Sequence, residues 1–284
     1  MAIENVSDTA RWVAVYRAME TARPDALFRD PFAERLAGSR GTEIVDGMKR
    51  GRALAYPMIV RTAVFDEMIM GRITSGAVDT VINLAAGLDT RPWRLPLPHD
   101  LRWYDVDLPA MTEYKSSAMQ GETPVCRYES VAADLTHAPT RRAVLARLSA
   151  GARSILVVTE GLLVYLAPHD VADLATDLHD VPGVRWWIFD MASPKLLAMM
   201  NRHWGKSLSA GNAPFLFAPD EGPAFFEPSG WGVAEVRSGM GEARRLHREL
   251  SMMRIWRILG GLMTARQRES MRVLSQFGML ERLD

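Results

Sequence analysis

Residues 80–91 read TVINLAAGLDTR, a continuous apolar run that ends in a turn of small residues. An unbroken apolar run predicts a strand buried on both faces, because a strand with one solvated face alternates apolar and polar residues. Gly87 removes the Cβ that would keep a ligand from the backbone and permits a positive φ, and the small Ala85 and Ala86 extend that clearance. The segment therefore predicts a buried parallel strand followed by a loop that a ligand can approach.

Similar short apolar runs follow this strand and alternate with helical segments. We predict strands in residues 101–107, 124–133, 154–166, 183–191 and 230–239. Strands that alternate with helices of about 10–15 residues are typical of a parallel sheet with helices on both faces. The predicted fold is therefore a single doubly wound α/β domain.

The flanking segments predict additions to this domain. Residues 1–75 read as a helical N-terminal cap, including a short helix that Gly38 closes, and residues 76–193 form the predicted core. Residues 194–222 lack a clear period, which favours an insertion that covers a substrate, in effect a lid. Residues 223–284 are expected to hold further strands and helices, with a helical tail after Glu242 whose apolar residues pack.

Composition excludes several classes of protein. The 284 residues contain 34 basic and 34 acidic side chains, so the basic excess of a nucleic-acid binder is missing. The runs 141–142 and 244–248 are interpreted as solvated basic helix faces. No apolar stretch is long enough to span a membrane, no secretory signal is evident, and the single cysteine, Cys126, is expected to be buried and reduced. We expect a soluble cytoplasmic protein.

Acidic residues follow the second and third predicted strands. Asp105 and Asp107 come about twenty residues after the glycine turn, where a carboxylate can accept hydrogen bonds from both ribose hydroxyls of a nucleoside. Strand alternation puts both on the same side, so the sequence does not separate them. Asp134 can accept from the exocyclic amine of adenine, or else cap the helix after Pro139. A diphosphate-binding GxGxxG is missing, which disfavours a nicotinamide-dependent oxidoreductase. These features predict a site for S-adenosylmethionine, an adenosine without phosphates.

Six segments in this order resemble the leucine carboxyl methyltransferase-like family of class I methyltransferases, which includes bacterial polyketide O-methyltransferases. They are RAMETARPDALFRDPFAERLAG, PMIVRTAVFDE, INLAAGLDTRPWRL, WYDVDLP, VAADL and VTEGLLVYL. The resemblance implies a seven-stranded, mostly parallel Rossmann-like sheet and S-adenosylmethionine as methyl donor, with no metal. It departs from the family at Ala85, where a glycine is usual.

The resemblance also implies roles for particular residues. Arg61 would hold the methionine carboxylate of the donor, and Glu160 would lie near its amino group and the reacting centre. Gly87 would line the donor near its methionine moiety. The remaining implied contacts are Asp107 or Asp105 with ribose, Asp134 and Leu135 with adenine, Ala85 with the donor through the glycine turn, and Arg17 over the donor from the N-terminal segment.

The expected reaction is methyl transfer to an oxygen of a small molecule, a phenol, hydroxyl or carboxylate, of the kind met in secondary metabolism. A carboxylate needs no base, whereas a phenol gains from one, for which Tyr165, His169 and His203 are candidates. Five aromatic residues are expected to form an apolar acceptor pocket: Trp204, Phe215, Phe217, Phe225 and Phe226. A peptide or protein C-terminus as acceptor, and a donor-binding protein without activity, remain open. The expected partner is a small molecule, with neither nucleic acid nor membrane, and the protein a monomer or homodimer.

Overall fold

The computed structural model describes residues 6–48, 51, 55–210, 214–249, 264 and 270–284, and the side chains of all of these except 6, 7 and 203–210. The helices are α1 (Val6–Thr21), α2 (Ala33–Gly47), α3 (Ala55–Thr74), α4 (Arg91–Arg94), α5 (Pro109–Ala118), α6 (Ala138–Ser149), α7 (Pro168–His179), α8 (Pro194–Ala210) and α9 (Gly239–Arg245). The strands are β1 (Thr80–Leu84), β2 (Arg102–Asp107), β3 (Arg127–Ala132), β4 (Ile155–Thr159), β5 (Val184–Ala192), β6 (Trp231–Ser238) and β7 (Ser275–Arg282).

The seven strands form one sheet in the order β3-β2-β1-β4-β5-β7-β6. The first five are parallel to their neighbours, whereas β7 runs antiparallel to both β5 and β6. From β1 the chain adds β2 and β3 on one side of the sheet. It then returns to add β4 and β5 on the other side of β1. The carboxyl ends of β1 and β4 therefore flank the point at which strand order reverses, where ligands bind in this kind of sheet. The doubly wound, mostly parallel prediction is confirmed.

Burial explains why β1 and β4 occupy the centre of the sheet. Every residue of TVINL and of ILVVT is buried, as expected for strands covered on both faces. One face packs on α6 and α7, which contribute Leu145 and Leu174 to the core. The other face packs on α3, which contributes Phe65 and Ile69. The lone Cys126 is buried, as predicted.

Two local predictions need correction. Residues 194–210 form the helix α8, so the irregular part of the predicted insertion is confined to the residues after it. Gly38 ends the short helix as predicted, because its backbone is non-helical (φ +59°, ψ −175°), and a second helical segment of α2 continues from this kink to Gly47. Strand β7 replaces the end of the predicted helical tail. The expected packing positions Leu250, Met253, Ile255, Leu259 and Met263 lie outside the described residues.

The basic runs are also buried in part. Arg141 is 5% exposed and its guanidinium pairs with Asp177 at the base of α7. Arg248 is 3% exposed and pairs with Glu20 of α1. A basic residue inside a run can pack inward when a carboxylate is available there, so the solvated-face interpretation is wrong at these two positions. Within the described residues, no helix combines the length and apolar character needed to cross a membrane.

Candidate functional site

A cavity of about 530 Å³ lies at the carboxyl edge of the sheet. Its floor is formed by residues at or just after the carboxyl ends of β1, β2, β3, β4 and β5, and α1 contributes Ala10, Trp12, Val13 and Arg17 to its wall. This volume falls within the range of small-molecule sites. The cavity therefore lies where the strand order reverses, and the predicted donor residues can be placed against it.

The glycine turn forms the part of this wall next to β1. Gly87 adopts φ +53°, and its N–H donates to Asp107 Oδ2 at 2.6 Å. Ala85 also adopts a positive φ of 53°, a conformation that costs a non-glycine residue roughly 1–2 kcal/mol. A Cβ on Gly87 would lie 3.3 Å from the Cβ of Ala10 in α1. The turn is therefore closely covered by the first helix.

Asp105 and Asp107 have different environments, although both follow the same strand alternation. Asp107 lines the cavity and accepts from the N–H groups of Gly87 and Leu108, the latter at 2.7 Å to Oδ1. Burial raises the pKa of Asp107 above its ordinary value, against the effect of these hydrogen bonds.

Asp105 lies two residues before Asp107 in β2, below the edge of the sheet. Its prediction as a donor-site residue is therefore wrong. Asp105 is 2% exposed and does not line the cavity. Its carboxylate accepts from Asn83 Nδ2 at 3.1 Å, Trp103 Nε1 at 2.8 Å and Lys115 Nζ at 2.5 Å. Because these buried donors occupy its oxygens, Asp105 supports β2 and cannot compete for a ribose.

Asp134 and Leu135 line the end of the cavity beyond β3. The Asp134 carboxylate accepts from the backbone N–H and the hydroxyl of Thr136, at 2.9 and 2.6 Å. These bonds lower the pKa of Asp134. Helix α6 begins after His137 without a side-chain cap, so the proposed role of Asp134 as the cap of that helix is wrong.

Arg61 and Glu160 meet at the opposite end of the cavity. Arg61 donates from Nε to Glu160 Oε1 at 3.0 Å and from Nη1 to Asp190 Oδ2 at 3.1 Å. The second oxygen of Glu160 lies 2.8 Å from Arg91 Nη2, and Asp190 Oδ1 accepts from the Gly161 N–H at 2.6 Å. The two predicted residues thus share one buried cluster with groups that the sequence interpretation missed.

We call this set the arginine–carboxylate cluster; its members are Arg61, Arg91, Arg94, Asp66, Asp89, Glu160 and Asp190. Burial alone would lower the pKa of Arg61, but the carboxylates of Asp190 and Glu160 outweigh it and raise that pKa. Burial would likewise raise the pKa of Asp89, yet the Arg91 guanidinium holds it well below its usual range. Three guanidinium groups therefore face four carboxyl groups, so the formal charge of the cluster is −1.

Arg17 reaches the cavity wall from α1, as the resemblance implied. Its Nε lies 2.8 Å from Asp30 Oδ2, and its Nη2 donates to the carbonyl of Leu88 at 2.5 Å. The guanidinium therefore joins the first helix to the backbone that follows the glycine turn.

The aromatic residues predicted for the acceptor pocket divide into two groups. Phe215 and Phe217 line the cavity, with the Phe215 ring 5.4 Å from that of Tyr165. Phe225 and Phe226 do not line it; Phe226 is fully buried and packs 4.8 Å from Trp187 in the sheet core. The side chain of Trp204 lies outside the described residues.

The three base candidates also differ in position. Tyr165 lines the cavity and is hydrogen-bonded to Thr9, and burial raises its pKa. His169 is exposed and lies 3.4 Å from Asp170 on α7, away from the cavity, so its candidacy is wrong. The side chain of His203 lies outside the described residues. Among described side chains, no cluster of His, Cys, Asp and Glu is arranged to hold a metal ion.

Asp190 could have been found from the sequence. It lies near the end of β5, and the same rule that selected acids after β2 and β3 applies to an acid at the end of any parallel strand. Arg91 carries no such signal, because one arginine after a turn resembles any surface arginine until the surrounding acids are placed.

Comparison with known proteins shows the family and the fold of this chain. The sequence model of the leucine carboxyl methyltransferase family matches residues 10–179. A putative S-adenosyl-L-methionine-dependent methyltransferase of Streptomyces coelicolor is 36% identical over 58% of this chain and 61% of its own length. A protein of the same description from Mycobacterium marinum is 32% identical over 68% of this chain and 67% of its own. The chain thus spans about three fifths of the length of the first of these relatives.

Two crystal structures share the fold at low sequence identity. A DUF574 family protein from Streptomyces avermitilis aligns over 97% of both chains with a TM-score of 0.56 and 15% identity. A putative methyltransferase from Thermobifida fusca aligns over 96% of this chain and 94% of its own, also with a TM-score of 0.56 and 15% identity. At this identity the likeness concerns the fold alone.

Proposed function

The chain belongs to the leucine carboxyl methyltransferase family, and from that premise we propose that it binds S-adenosylmethionine and transfers the methyl group to an oxygen of a small molecule. The observation that carries the proposal is that Asp107, at the end of β2, and Arg61, paired with Glu160 after β4, line one cavity at the switch point of the sheet. A nucleoside that ends in an amino acid needs a carboxylate at one end and a guanidinium at the other.

The chemistry of the donor set fits such a ligand. Each Asp107 oxygen accepts one backbone N–H, and a carboxylate has about four acceptor positions, so capacity is left for the two ribose hydroxyls. Asp134 and Leu135 would bracket adenine at the end of the cavity beyond β3. Gly87, beside Asp107, would line the donor. A glycine-rich cradle for a diphosphate is missing from the loop after β1, which disfavours a nicotinamide cofactor.

The arginine–carboxylate cluster suits the other end of the donor. Arg61 would hold the methionine carboxylate, while Glu160 and Asp190 offer acceptors for its amino group. The cluster carries one excess negative charge, and S-adenosylmethionine carries one net positive charge on its sulfonium. Electrostatic complementarity of this kind favours the cationic methyl donor.

When bound, S-adenosylmethionine supplies an electrophilic methyl group. The chain's own residues would orient the two reactants and exclude water, which is the main contribution a protein makes to such a displacement. Helix α1 covers the glycine turn through Ala10, and Arg17 ties it to Leu88. A hydroxyl acceptor would form its oxygen–methyl bond as the sulfur–methyl bond of the donor breaks, leaving S-adenosylhomocysteine, and its proton would pass to solvent. Tyr165, which contacts the same cavity, is the described candidate for orienting that oxygen.

A small-molecule acceptor is favoured over a peptide C-terminus, because the apolar side of the cavity is lined by residues of α1, of α8 and of the segment that carries Phe215. The decisive experiment incubates the protein with methyl-labelled S-adenosylmethionine and panels of phenols, carboxylic acids and peptides. We expect label transfer to a small molecule. Transfer only to peptides would support the alternative acceptor, and donor binding without transfer to any acceptor would indicate a donor-binding protein without activity.

A further inference from the structure

The cavity has an apolar side that the donor residues leave unused. We call it the acceptor chamber and define it by Trp12, Val164, Tyr165, Met200 and Phe215, which line the cavity and pack in one hydrophobic cluster. None of these side chains carries a charge, and the Tyr165 hydroxyl is bonded to Thr9. A ligand part that enters here exchanges water for apolar surface.

The wall of the chamber is held together by specific hydrogen bonds. The backbone N–H groups of Leu216 and Phe217 donate to the Val164 carbonyl at 2.7 and 3.3 Å. Asn201 of α8 donates from Nδ2 to the Phe215 carbonyl at 3.1 Å. Because these bonds join three separate chain segments, the chamber is a built feature of the fold.

Asp190 marks the boundary between the chamber and the arginine–carboxylate cluster. The next two residues of β5, Met191 and Ala192, also line the cavity. Its carboxylate is 19% exposed. Tyr165 of the chamber wall interacts electrostatically with Arg61 and, more weakly, with Asp190. An acceptor that extends beyond the apolar wall therefore meets the Asp190 carboxylate beside the Arg61 guanidinium.

On the basis of the proposed function, we propose that the acceptor is a neutral aromatic molecule that is methylated on a hydroxyl, and that Asp190 is a specificity-determining residue that excludes carboxylates from the chamber. The family's name suggests a carboxylate acceptor, and the chamber argues against it.

A carboxylate would be costly in this chamber for two reasons. Its charge would leave water for an apolar wall, and such a transfer is costly unless a cation or several hydrogen-bond donors replace the water. The described cation that acts on Tyr165 is Arg61, which pairs with Glu160 and Asp190 and whose remaining donors are assigned to the carboxylate of S-adenosylmethionine. Burial also raises the pKa of Tyr165, so its hydroxyl stays neutral and adds no charge of either sign. A phenol meets neither penalty, because it is neutral at neutral pH.

The test compares two ligands of similar size, one neutral and one anionic. The protein is saturated with S-adenosylhomocysteine, and binding of 2-naphthol and of 2-naphthoate is measured by calorimetry at about pH 7.5, where only the acid is ionised. We expect 2-naphthol to bind at least about tenfold more tightly, since the penalty on a buried charge exceeds 1.4 kcal/mol. Equal affinity, tighter binding of naphthoate, or binding of neither ligand overturns the inference. Failure to bind S-adenosylhomocysteine would instead overturn the proposed function.

A matched pair of variants tests the role of Asp190. We expect Asp190→Asn to reduce the ratio of the two affinities at least threefold, because the neutral amide no longer repels naphthoate. The same change at the exposed Asp173 of α7, which does not line the cavity, should leave the ratio unchanged. An unchanged ratio in folded Asp190→Asn, checked by circular dichroism, removes Asp190 from the explanation; if that variant does not fold, the wild-type comparison still decides between neutral and anionic acceptors.

Discussion

A Cβ on Gly161 would lie 2.9 Å from Arg61 Nη1, so the guanidinium can occupy its position only because this residue is a glycine. Gly161 follows Glu160 directly and adopts φ +71°. Its N–H donates to the same Asp190 that accepts from Arg61. The turn at Glu160 and Gly161 therefore supplies a carboxylate that bonds Arg61, a backbone that packs closely against its guanidinium, and an N–H that donates to its second partner, Asp190.

Replacing Gly161 by alanine should disturb both the backbone and Arg61. We expect Gly161→Ala to weaken binding of S-adenosylhomocysteine at least about tenfold, because Arg61 must shift. The control is Gly76→Ala, where φ is +73° and a Cβ would meet nothing within 4 Å. Both variants carry the backbone cost of roughly 1–2 kcal/mol of unfolding free energy, but the control should keep its affinity. Equal affinities by calorimetry would show that Arg61 does not hold the donor.

Arg61→Lys tests whether the forked geometry of the guanidinium matters beyond its charge. A lysine ammonium cannot bond Glu160 and Asp190 in the same directions and still present donors to a ligand carboxylate. Loss of one charge-assisted hydrogen bond, about 1.5–3 kcal/mol, predicts a loss of roughly tenfold or more in affinity for S-adenosylhomocysteine. Arg185→Lys, an exposed position on β5, is the control. Wild-type affinity in both variants would contradict the assignment.

The two aspartates of β2 should give opposite results. Asp107→Asn should weaken donor binding, because this carboxylate faces the cavity, and should lower the free energy of unfolding less than Asp105→Asn does, because only one backbone N–H, of Gly87 or Leu108, loses its acceptor. Asp105→Asn should lower the free energy of unfolding by roughly 3–5 kcal/mol, because Lys115 loses its buried partner. Thermal unfolding and calorimetry of both variants provide the comparison. A donor-binding defect in a stably folded Asp105→Asn protein, with none in Asp107→Asn, would reverse the assignment.

The sequence predicted the central strands correctly, because an unbroken apolar run indicates a strand buried on both faces. The runs TVINL and ILVVT are apolar throughout, and strands buried on both faces follow directly from that pattern. Strand β7 lacked such a signal, since it contains Gly278 among mixed residues. A Cβ there would overlap the ring of Phe189 on β5, so the glycine is needed by a neighbour that is 89 residues away in sequence. Requirements set by a distant partner cannot be recognised from local periodicity.

The same limit applies to the site. Asp107, Arg61 and Glu160 were found because strand ends and a family resemblance marked them, and all three line the cavity. Strand alternation treated Asp105 and Asp107 alike, because it gives the face of a side chain but not its depth below the sheet edge. Depth depends on what covers the strand, here Lys115 from α5.

The raised pKa of Asp107 makes a prediction about pH. Burial raises the pKa of Asp107 above 3.8, and the proposed role in holding ribose requires the ionised carboxylate. Protonation removes an acceptor, so affinity for S-adenosylhomocysteine should fall as pH drops through the raised pKa, at a higher pH than an ordinary aspartate would give. Calorimetry between about pH 7 and pH 4.5 should show this decline in the wild type. In Asp107→Asn, the weaker affinity should depend much less on pH over the same range, because the amide does not titrate. An equal decline in both proteins would assign the titration to another group and remove Asp107 as its cause.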